Sequence, residues 1–327
     1  MIATVDLIKT ALSVNGAGFL SKRLAKSIWQ LLLFLSRRAG KKRLLEMGGA
    51  VILTVIVLNW LILIWFSSSL LFISDPDSLM NVETNTSTSI TSKVFYTGYT
   101  LSTLGLGDME PDGSFWDVLT AILSFAGLIL ISIALTYLIP VVTAEIEKRR
   151  ISVYITTLGC SVEEILLNHW NGKDFKSLEQ VFDNLTQMVI LHAQNHKAYS
   201  VLHFFHTANK KEAFVLNITN LDEVLTILLY NIKEDQRPSR QKLMGLRSAI
   251  SSYLITLPMA FIKPGDEVPP VFVLQGLEDA GVEIQRGEEV SAEYTELSAR
   301  RRLLLALIKD DGWEWDDLEA GAYDHLI

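Results

Sequence analysis

The residues whose order is chemically most demanding form the stretch Thr100 to Asp108, which reads TLSTLGLGD. A cation that has lost its hydration shell needs rings of oxygen atoms, and backbone carbonyl groups can supply them. Carbonyls of an ordinary extended strand point alternately to opposite sides. A row that faces one axis therefore needs unusual dihedral angles at alternate residues, including positive φ. Glycine adopts such angles at least cost, and Gly105 and Gly107 alternate as this row requires.

Two long uncharged runs lie on either side of this stretch. Residues 47–74 and residues 118–144 contain 28 and 27 residues without a charged side chain, enough for each run to cross the hydrocarbon core as a helix. Five Lys/Arg residues precede the first run, and basic residues follow the second. By the positive-inside rule, both chain ends are expected in the cytoplasm and residues 75–92 outside.

The segment TLGLGD resembles the TVGYGD signature of the potassium channel family, and its second leucine is similar to one pore loop of the two-pore-domain branch. A threonine-rich run precedes the segment and Pro111 follows it, so the context favours this resemblance over a coincidental glycine loop. The resemblance covers about residues 47–147 and implies a potassium selectivity filter with Asp108 at its outer mouth. The filter residues it implies are Thr103, Leu104, Gly105, Leu106 and Gly107.

A short pore helix is expected before the filter, from near Ser89 to about Ser102, because the oxygen-bearing residues there can cap its first turn. In the resembled family a tyrosine, whose hydroxyl the pore helix can hold, occupies the position of Leu106. Leucine has no hydroxyl, so we expect packing alone to brace the filter, against rings such as those of Phe95 and Tyr96.

Two residues of the second run are candidate gating elements. Gly127 follows Gly107 by 20 residues, which matches the hinge glycine of the resembled family. A small residue that allows close helix packing is the alternative interpretation. Pro140 is expected to kink the helix because it removes one backbone hydrogen bond.

The sequence contains a single copy of the GxGD pattern. Four copies are needed to surround one ion, so we expect a homotetramer with cyclic symmetry in a lipid bilayer. The expected fold is an all-α membrane protein with two transmembrane helices, a re-entrant pore helix and a mainly helical cytoplasmic C-terminal domain.

The regions outside the pore differ in charge. Residues 1–46 contain nine basic and two acidic residues, whereas residues 151–327 contain 16 basic and 26 acidic residues.

Apolar residues recur at helical spacing from Leu20 to Leu35, which indicates an amphipathic helix in the headgroup layer or an ordinary soluble helix. We therefore divide the chain into a basic cytoplasmic segment (1–46), a pore domain (47–147) and a cytoplasmic domain (148–327). The N-terminus shows no signal-peptide pattern.

The C-terminal region shows helical periodicity in several segments. Asn220 and Glu223 resemble a capping box, and residues 264–288 are expected to form a loop with one short strand. No dinucleotide-binding or cyclic-nucleotide module is evident. The expected helices are residues 161–171, 177–209, 221–232, 239–257 and 290–309.

Four of the six histidines cluster in the second of these segments. On a continuous helix they would share one face, opposite apolar residues such as Leu191 and Phe205. This placement favours a solvated or subunit-facing stripe. A transition-metal site or a pH sensor is the alternative. The clustered histidines are His192, His196, His203 and His206.

The sequence as a whole predicts a potassium-selective channel in the plasma or inner membrane, with K⁺ as the permeant ion, no cofactor and no enzymatic activity. The alternatives are a poorly selective cation channel and a non-conducting, membrane-anchored receptor or interaction protein. The single cysteine, Cys160, excludes an intrachain disulfide and a cysteine-cluster metal site. The acidic balance argues against nucleic acid as a partner. The ligand or protein partner of the C-terminal domain is not indicated.

Overall fold

The computed structural model of the chain describes residues 2–14, 16–40, 42–286, 295 and 297–319. Helices dominate it, together with one small antiparallel pair of strands, β1 (Leu79–Asn81) and β2 (Met109–Pro111). Short 3₁₀ helices lie at Ser200–Phe204, Leu257–Ala260 and Trp315–Leu318. The α-helices are α1 (Ile2–Ala11), α2 (Phe19–Ala39), α3 (Arg43–Glu46), α4 (Gly48–Ile73), α5 (Ile90–Leu101), α6 (Ser114–Thr156), α7 (Val162–His169), α8 (Leu178–Ala198), α9 (Phe214–Tyr230), α10 (Arg240–Leu254), α11 (Gln275–Asp279) and α12 (Ser298–Asp310).

Helices α4 and α6 are long and apolar enough to cross a membrane. Helix α4 has 26 residues, or about 39 Å at 1.5 Å per residue, against a hydrocarbon core of about 30 Å. Helix α6 has 43 residues and continues beyond the second uncharged run to Thr156. The predicted fold class, an all-α membrane protein with two spans and a mainly helical remainder, is confirmed.

The chain divides into two compact units rather than the three segments expected. The span unit holds residues 2–13, Ala17–Leu24 and Val51–Val141, and the C-terminal unit holds Ala25–Ala50 and the described residues from Val142 onward. The basic N-terminal segment is therefore shared between the two units and does not form a domain of its own. The physical reason is burial, because both Asp6 and Trp29 are enclosed by side chains from other segments.

Helix α2 contains the predicted amphipathic segment, but its buried face differs from the predicted apolar stripe. Ala25 and Trp29 are buried within the C-terminal unit, where the Trp29 indole Nε1 donates to the Asp310 carbonyl over 3.1 Å. Leu31 and Phe34 remain exposed. A buried tryptophan contributes a large apolar ring and needs an acceptor for its N–H, and this site supplies both.

The core of the C-terminal unit forms where α8 packs along α10 and α9 is enclosed on all sides. Ser161 caps α7 by accepting a hydrogen bond from the backbone N–H of Glu164. Residues 271–274 contain no strand, and a short helix, α11, follows them. The predicted helix 290–309 falls partly outside the described residues, and its described part is α12.

The predicted capping box at Asn220 and Glu223 is wrong, because α9 begins at Phe214 and buries both residues in its middle. Glu223 instead pairs with Arg301, whose Nε lies 2.8 Å from Glu223 Oε1. Its neighbour Asp222 is 1 % exposed and pairs with two other arginines from α10 and α12. The arginines hold the pKa of Asp222 below its usual range despite the opposing effect of burial, whereas burial dominates at Glu223 and raises its pKa.

Candidate functional site

The helix predicted before the filter is present as α5 and follows the predicted bounds closely. Ser89 is its N-cap and accepts a hydrogen bond from the backbone N–H of Ser92 over 3.2 Å. The helix ends at Leu101, and the backbone N–H of Ser102 donates to the carbonyl of Gly98. A 12-residue helix is too short to cross a membrane, so it fits the interior of a pore domain and not a third span.

Polar contacts not anticipated from the sequence fix this helix within the span unit. The buried ammonium group of Lys93 donates to the carbonyls of Asp75 and Pro76 at 2.5 and 2.8 Å. One turn later, the hydroxyls of Thr97 and Ser69 share a hydrogen bond of 2.7 Å. Lys93 was detectable in principle, since a lone lysine in an otherwise uncharged segment at membrane depth signals a specific partner.

The predicted filter stretch leaves the helix with an alternating backbone. The backbone N–H of Leu104 donates to the carbonyl of Tyr99 at 2.9 Å, which reverses the chain after the pore helix. The φ angles of Thr103, Gly105 and Gly107 are +61°, +56° and +75°. This is the alternation expected for a row of carbonyl groups that all face one axis. Every second residue of the stretch thus adopts the left-handed conformation.

The requirement for glycine in this row comes from backbone conformation and not from crowding. A Cβ atom built on Gly105 or Gly107 would have no neighbouring atom within 4 Å in the single chain. Positive φ alone makes a larger residue costly there. Thr103 accepts the same conformation at the start of the row.

Asp108, the predicted outer-mouth residue, connects the end of the row to its surroundings. Its carboxylate Oδ1 accepts a hydrogen bond of 3.2 Å from the hydroxyl of Tyr99. Its carbonyl accepts from the backbone N–H of Val82, beside the β1–β2 pair in which Asn81 lies opposite Met109. The expectation that packing alone braces the filter is therefore wrong. A tyrosine of the pore helix supplies a polar contact two residues after Leu106.

The sequence does not single out Tyr99, because the aromatic positions of the resembled family align with Phe95 and Tyr96. Of those, Tyr96 shares a hydrogen bond of 3.0 Å with Thr120, and Phe95 is 52 % exposed. Leu104 and Leu106 are also exposed on the single chain. A hollow of about 560 Å³, lined by mainly apolar side chains that include Phe95, lies between α5 and the two spans.

Gly127 makes a close approach to the end of the pore helix. A Cβ atom at this position would lie 1.8 Å from the carbonyl oxygen of Leu101, so only glycine fits. This contact supports the packing interpretation, while the hinge role of Gly127 and the gating role of Pro140 stay predictions. Helix α6 continues through both residues without interruption.

The predicted placement of the histidines is wrong. Helix α8 ends at Ala198, so the four do not share one continuous helix. All four are buried, with at most 5 % of the residue exposed, whereas Ile190 and Leu191 on the supposed core face are about half exposed. The histidine face is buried although the opposite arc is more apolar, because aromatic rings from other helices pack against the imidazole rings.

Each buried histidine has a different set of partners. His203 Nε2 lies 2.8 Å from Asp310 Oδ2, and His206 Nδ1 lies 3.3 Å from Asp311 Oδ2. His196 Nδ1 lies 2.7 Å from the hydroxyl of Thr256.

His192 has no hydrogen-bond partner for either ring nitrogen and packs between Phe214 and Tyr253. Burial, reinforced by the nearby Lys148 ammonium, lowers the pKa of His192 to about 3. Burial, together with the neighbouring rings of His203 and His192 and the Lys148 ammonium, also lowers the pKa of His196. Among the described residues, no three His, Cys, Asp or Glu side chains are grouped so as to hold a metal ion.

Comparison with known proteins agrees with this geometry. Residues 51–144 match the profile of a family described as "Ion channel". Over 312 residues the chain is 31 % identical to the uncharacterized membrane protein YdjJ of Bacillus subtilis (strain 168), and the match covers 95 % of this chain and 91 % of the relative. No solved structure matches the chain. The chain is therefore a membrane protein that belongs to the ion channel family, of the type with two spans and one pore loop.

Proposed function

We propose that the protein is a potassium-selective channel that conducts K⁺ passively down its gradient. The observation that carries this proposal is the alternation of positive φ at Thr103, Gly105 and Gly107, between a short pore helix and the second span. Such a backbone can present successive carbonyl oxygens in place of the ion's hydration shell. The threonine adds a hydroxyl at the end of the row that follows the pore helix.

The channel is proposed to be a homotetramer, since one chain supplies a single row of carbonyls. The exposed apolar side chains beside the row support this assembly. Phe95, Leu104 and Leu106 are 52 %, 63 % and 51 % exposed on the single chain, an unfavourable arrangement unless another surface covers them. Three further copies around the pore axis would both cover these side chains and complete the rings of oxygens.

The proposed orientation places both chain ends in the cytoplasm and Asp108 at the outer mouth. Basic residues precede α4 and follow the second uncharged run, whereas acidic residues such as Asp75 follow α4. Cytoplasmic segments next to membrane spans carry the excess of Lys and Arg.

A poorly selective cation channel is the second candidate function. One observation favours it: Leu106 has no hydroxyl that could tie the row to the pore helix. The hydrogen bond between Tyr99 and Asp108 offsets this loss at the neighbouring end of the row. Potassium selectivity therefore remains the better supported proposal.

The variant Gly105→Ala tests the proposal. A Cβ at φ +56° strains the backbone and turns the carbonyl away from the axis, so we expect potassium flux into liposomes to be lost while the tetramer persists. Gly172→Ala is the matched control, because Gly172 also has positive φ (+84°) and free space but lies outside the row. Undiminished potassium flux in Gly105→Ala would refute the filter assignment.

A further inference from the structure

A buried carboxylate joins the first two helices. Asp6 of α1 is 4 % exposed, and its Oδ1 accepts a hydrogen bond of 2.9 Å from the backbone N–H of Leu20. Its Oδ2 accepts a bond of 2.5 Å from the Ser21 hydroxyl. The carboxylate therefore accepts hydrogen bonds from donors at the start of α2 that have no partner within the helix. The positive end of the helix dipole also stabilises its negative charge. We call residues 2–13 and 17–24 the N-terminal hairpin.

The same carboxylate contacts the middle of the first span. The indole Nε1 of Trp60 donates to Asp6 Oδ2 over 3.2 Å, and Trp60 is fully buried. Trp60 is the thirteenth of the 26 residues of α4. A 30 Å hydrocarbon core must lie within a helix of about 39 Å, so wherever it lies, Trp60 is at least about 9 Å inside it.

The outer face of α1 is apolar. Asp6, Leu7 and Thr10 are buried, whereas the opposite face is between 48 and 72 % exposed. A groove of about 200 Å³ lies between α1 and the start of α2, and Lys9 is one of its lining residues. The exposed apolar residues of this face are Ile2, Val5 and Ile8 of α1, together with Leu12 directly after the helix.

We propose that the N-terminal hairpin is a re-entrant element inserted into the membrane leaflet beside the first half of α4, where the exposed face of α1 contacts lipid acyl chains. The contact between Asp6 and Trp60 places the hairpin at hydrocarbon depth. The exposed face of α1 then continues the lipid-facing surface of α4, to which Leu58 and Ile62 contribute. Water could not cover these side chains at that depth, and acyl chains can.

The polar groups of the hairpin fit this environment. Backbone groups in hydrocarbon must find partners within the protein, and α1 is helical while Gly18 N–H donates to the Thr10 hydroxyl over 2.9 Å. In this placement Lys9 and Lys22 extend their stems along apolar surface toward the headgroup layer, and the Arg23 guanidinium lies 4.0 Å from the centre of the Phe19 ring. They limit the depth of insertion and favour a leaflet with anionic lipids.

The re-entrant placement of the hairpin does not depend on which ion permeates. It gives residues 1–46 a different location from the one expected by the positive-inside rule, which assigned them as a whole to the cytoplasm. The basic charges remain near one membrane surface, but the helix that precedes them returns into the bilayer.

Depth-dependent fluorescence quenching tests the proposal on the full-length protein in liposomes. In a Cys160→Ser background, Val5→Cys carries an environment-sensitive fluorophore. Ile62→Cys, on a span side chain that is 54 % exposed, is the membrane control, and Gln241→Cys on the exposed surface of α10 is the aqueous control. We expect phospholipids brominated on the acyl chain to quench the label at residue 5 as they quench the label at residue 62. Iodide in water should quench only the label at residue 241.

Quenching at residue 5 by iodide, or by headgroup-labelled lipid alone, would overturn the proposal.

A second experiment tests whether the Asp6 carboxylate is the tether that holds the hairpin against α4. Asp6→Ala leaves the donors of Ser21 and Trp60 without an acceptor, so quenching at residue 5 by brominated acyl chains should be lost. Asp6→Asn keeps one carbonyl acceptor and should retain most of it. Unchanged depth in Asp6→Ala would refute the carboxylate as the tether.

Discussion

Acidification should destabilise the C-terminal unit through its buried histidines, and His192 allows the size of the effect to be worked out. Its ring nitrogens have no partners, and its pKa is about 3 in the folded chain against 6.5 for the free side chain. Folding therefore favours the neutral form of the His192 ring. The contribution of His192 to stability is complete above pH 6.5 and is lost as the pH falls from 6.5 toward 3.

The magnitude follows from the difference in protonation. At about pH 5 the unfolded side chain is almost fully protonated and the folded one is not. Between pH 6.5 and pH 5 lie roughly 1.5 pH units at 1.36 kcal/mol each, so the free energy of unfolding falls by about 2 kcal/mol. His196, whose pKa is also lowered, adds to the loss in the same direction. Charged groups near the cluster include the Lys148 ammonium, which raises the cost of a protonated ring, and the carboxylates of Asp310 and Asp311.

Urea unfolding of the purified protein in detergent, followed by far-ultraviolet circular dichroism at about pH 8 and pH 5, measures this loss. His192→Phe keeps the ring packing against Phe214 and Tyr253 and removes the titration, so the pH-dependent loss should shrink by about 2 kcal/mol. His192→Gln removes the same titration but buries an unpaired amide, so it should also cost about 1–3 kcal/mol at both pH values.

Equal pH dependence in the wild type and in both His192 variants would refute the reasoning. That result would mean that the ring is not buried in its neutral form. A destabilisation of His192→Phe at high pH as large as that of His192→Gln would show that the ring nitrogens have partners, which the structure does not show.

Three further substitutions have defined outcomes. Gly127→Ala should disrupt packing at the pore helix and cost about 1–3 kcal/mol in thermal unfolding, whereas Gly245→Ala, with free space in α10, should not destabilise. Tyr99→Phe removes a hydrogen bond worth about 0.5–1.5 kcal/mol per subunit, so currents should decay faster in low external potassium with an unchanged reversal potential. Arg301→Met leaves Glu223 buried and unpaired and should cost about 3–5 kcal/mol in urea unfolding.

The sequence determined the pore region well because its signals there are local and redundant. Charge-free runs define the spans, Ser89 defines the start of the pore helix, and alternating glycines define the positive φ angles. Each feature depends on neighbours in the chain, and hydrocarbon forbids most alternatives.

The errors and omissions arose where a contact joins residues that are not neighbours in the chain. The Tyr99–Asp108 contact required the fold of the whole loop, and the Asp6–Trp60 contact joins residues 54 positions apart. His192 was misplaced because its aromatic neighbours come from α9 and α10. A helical wheel ranks faces by hydropathy, but the face that is buried depends on what packs against it.

The most direct test of the central claim is the reversal potential of the purified protein in a planar bilayer, with potassium on one side and sodium on the other. The proposed filter, with its row from Thr103 to Gly107, predicts a reversal potential far from zero, with the sign of a potassium current. A reversal potential near zero would identify a poorly selective cation channel. The absence of current in correctly assembled protein would contradict conduction itself.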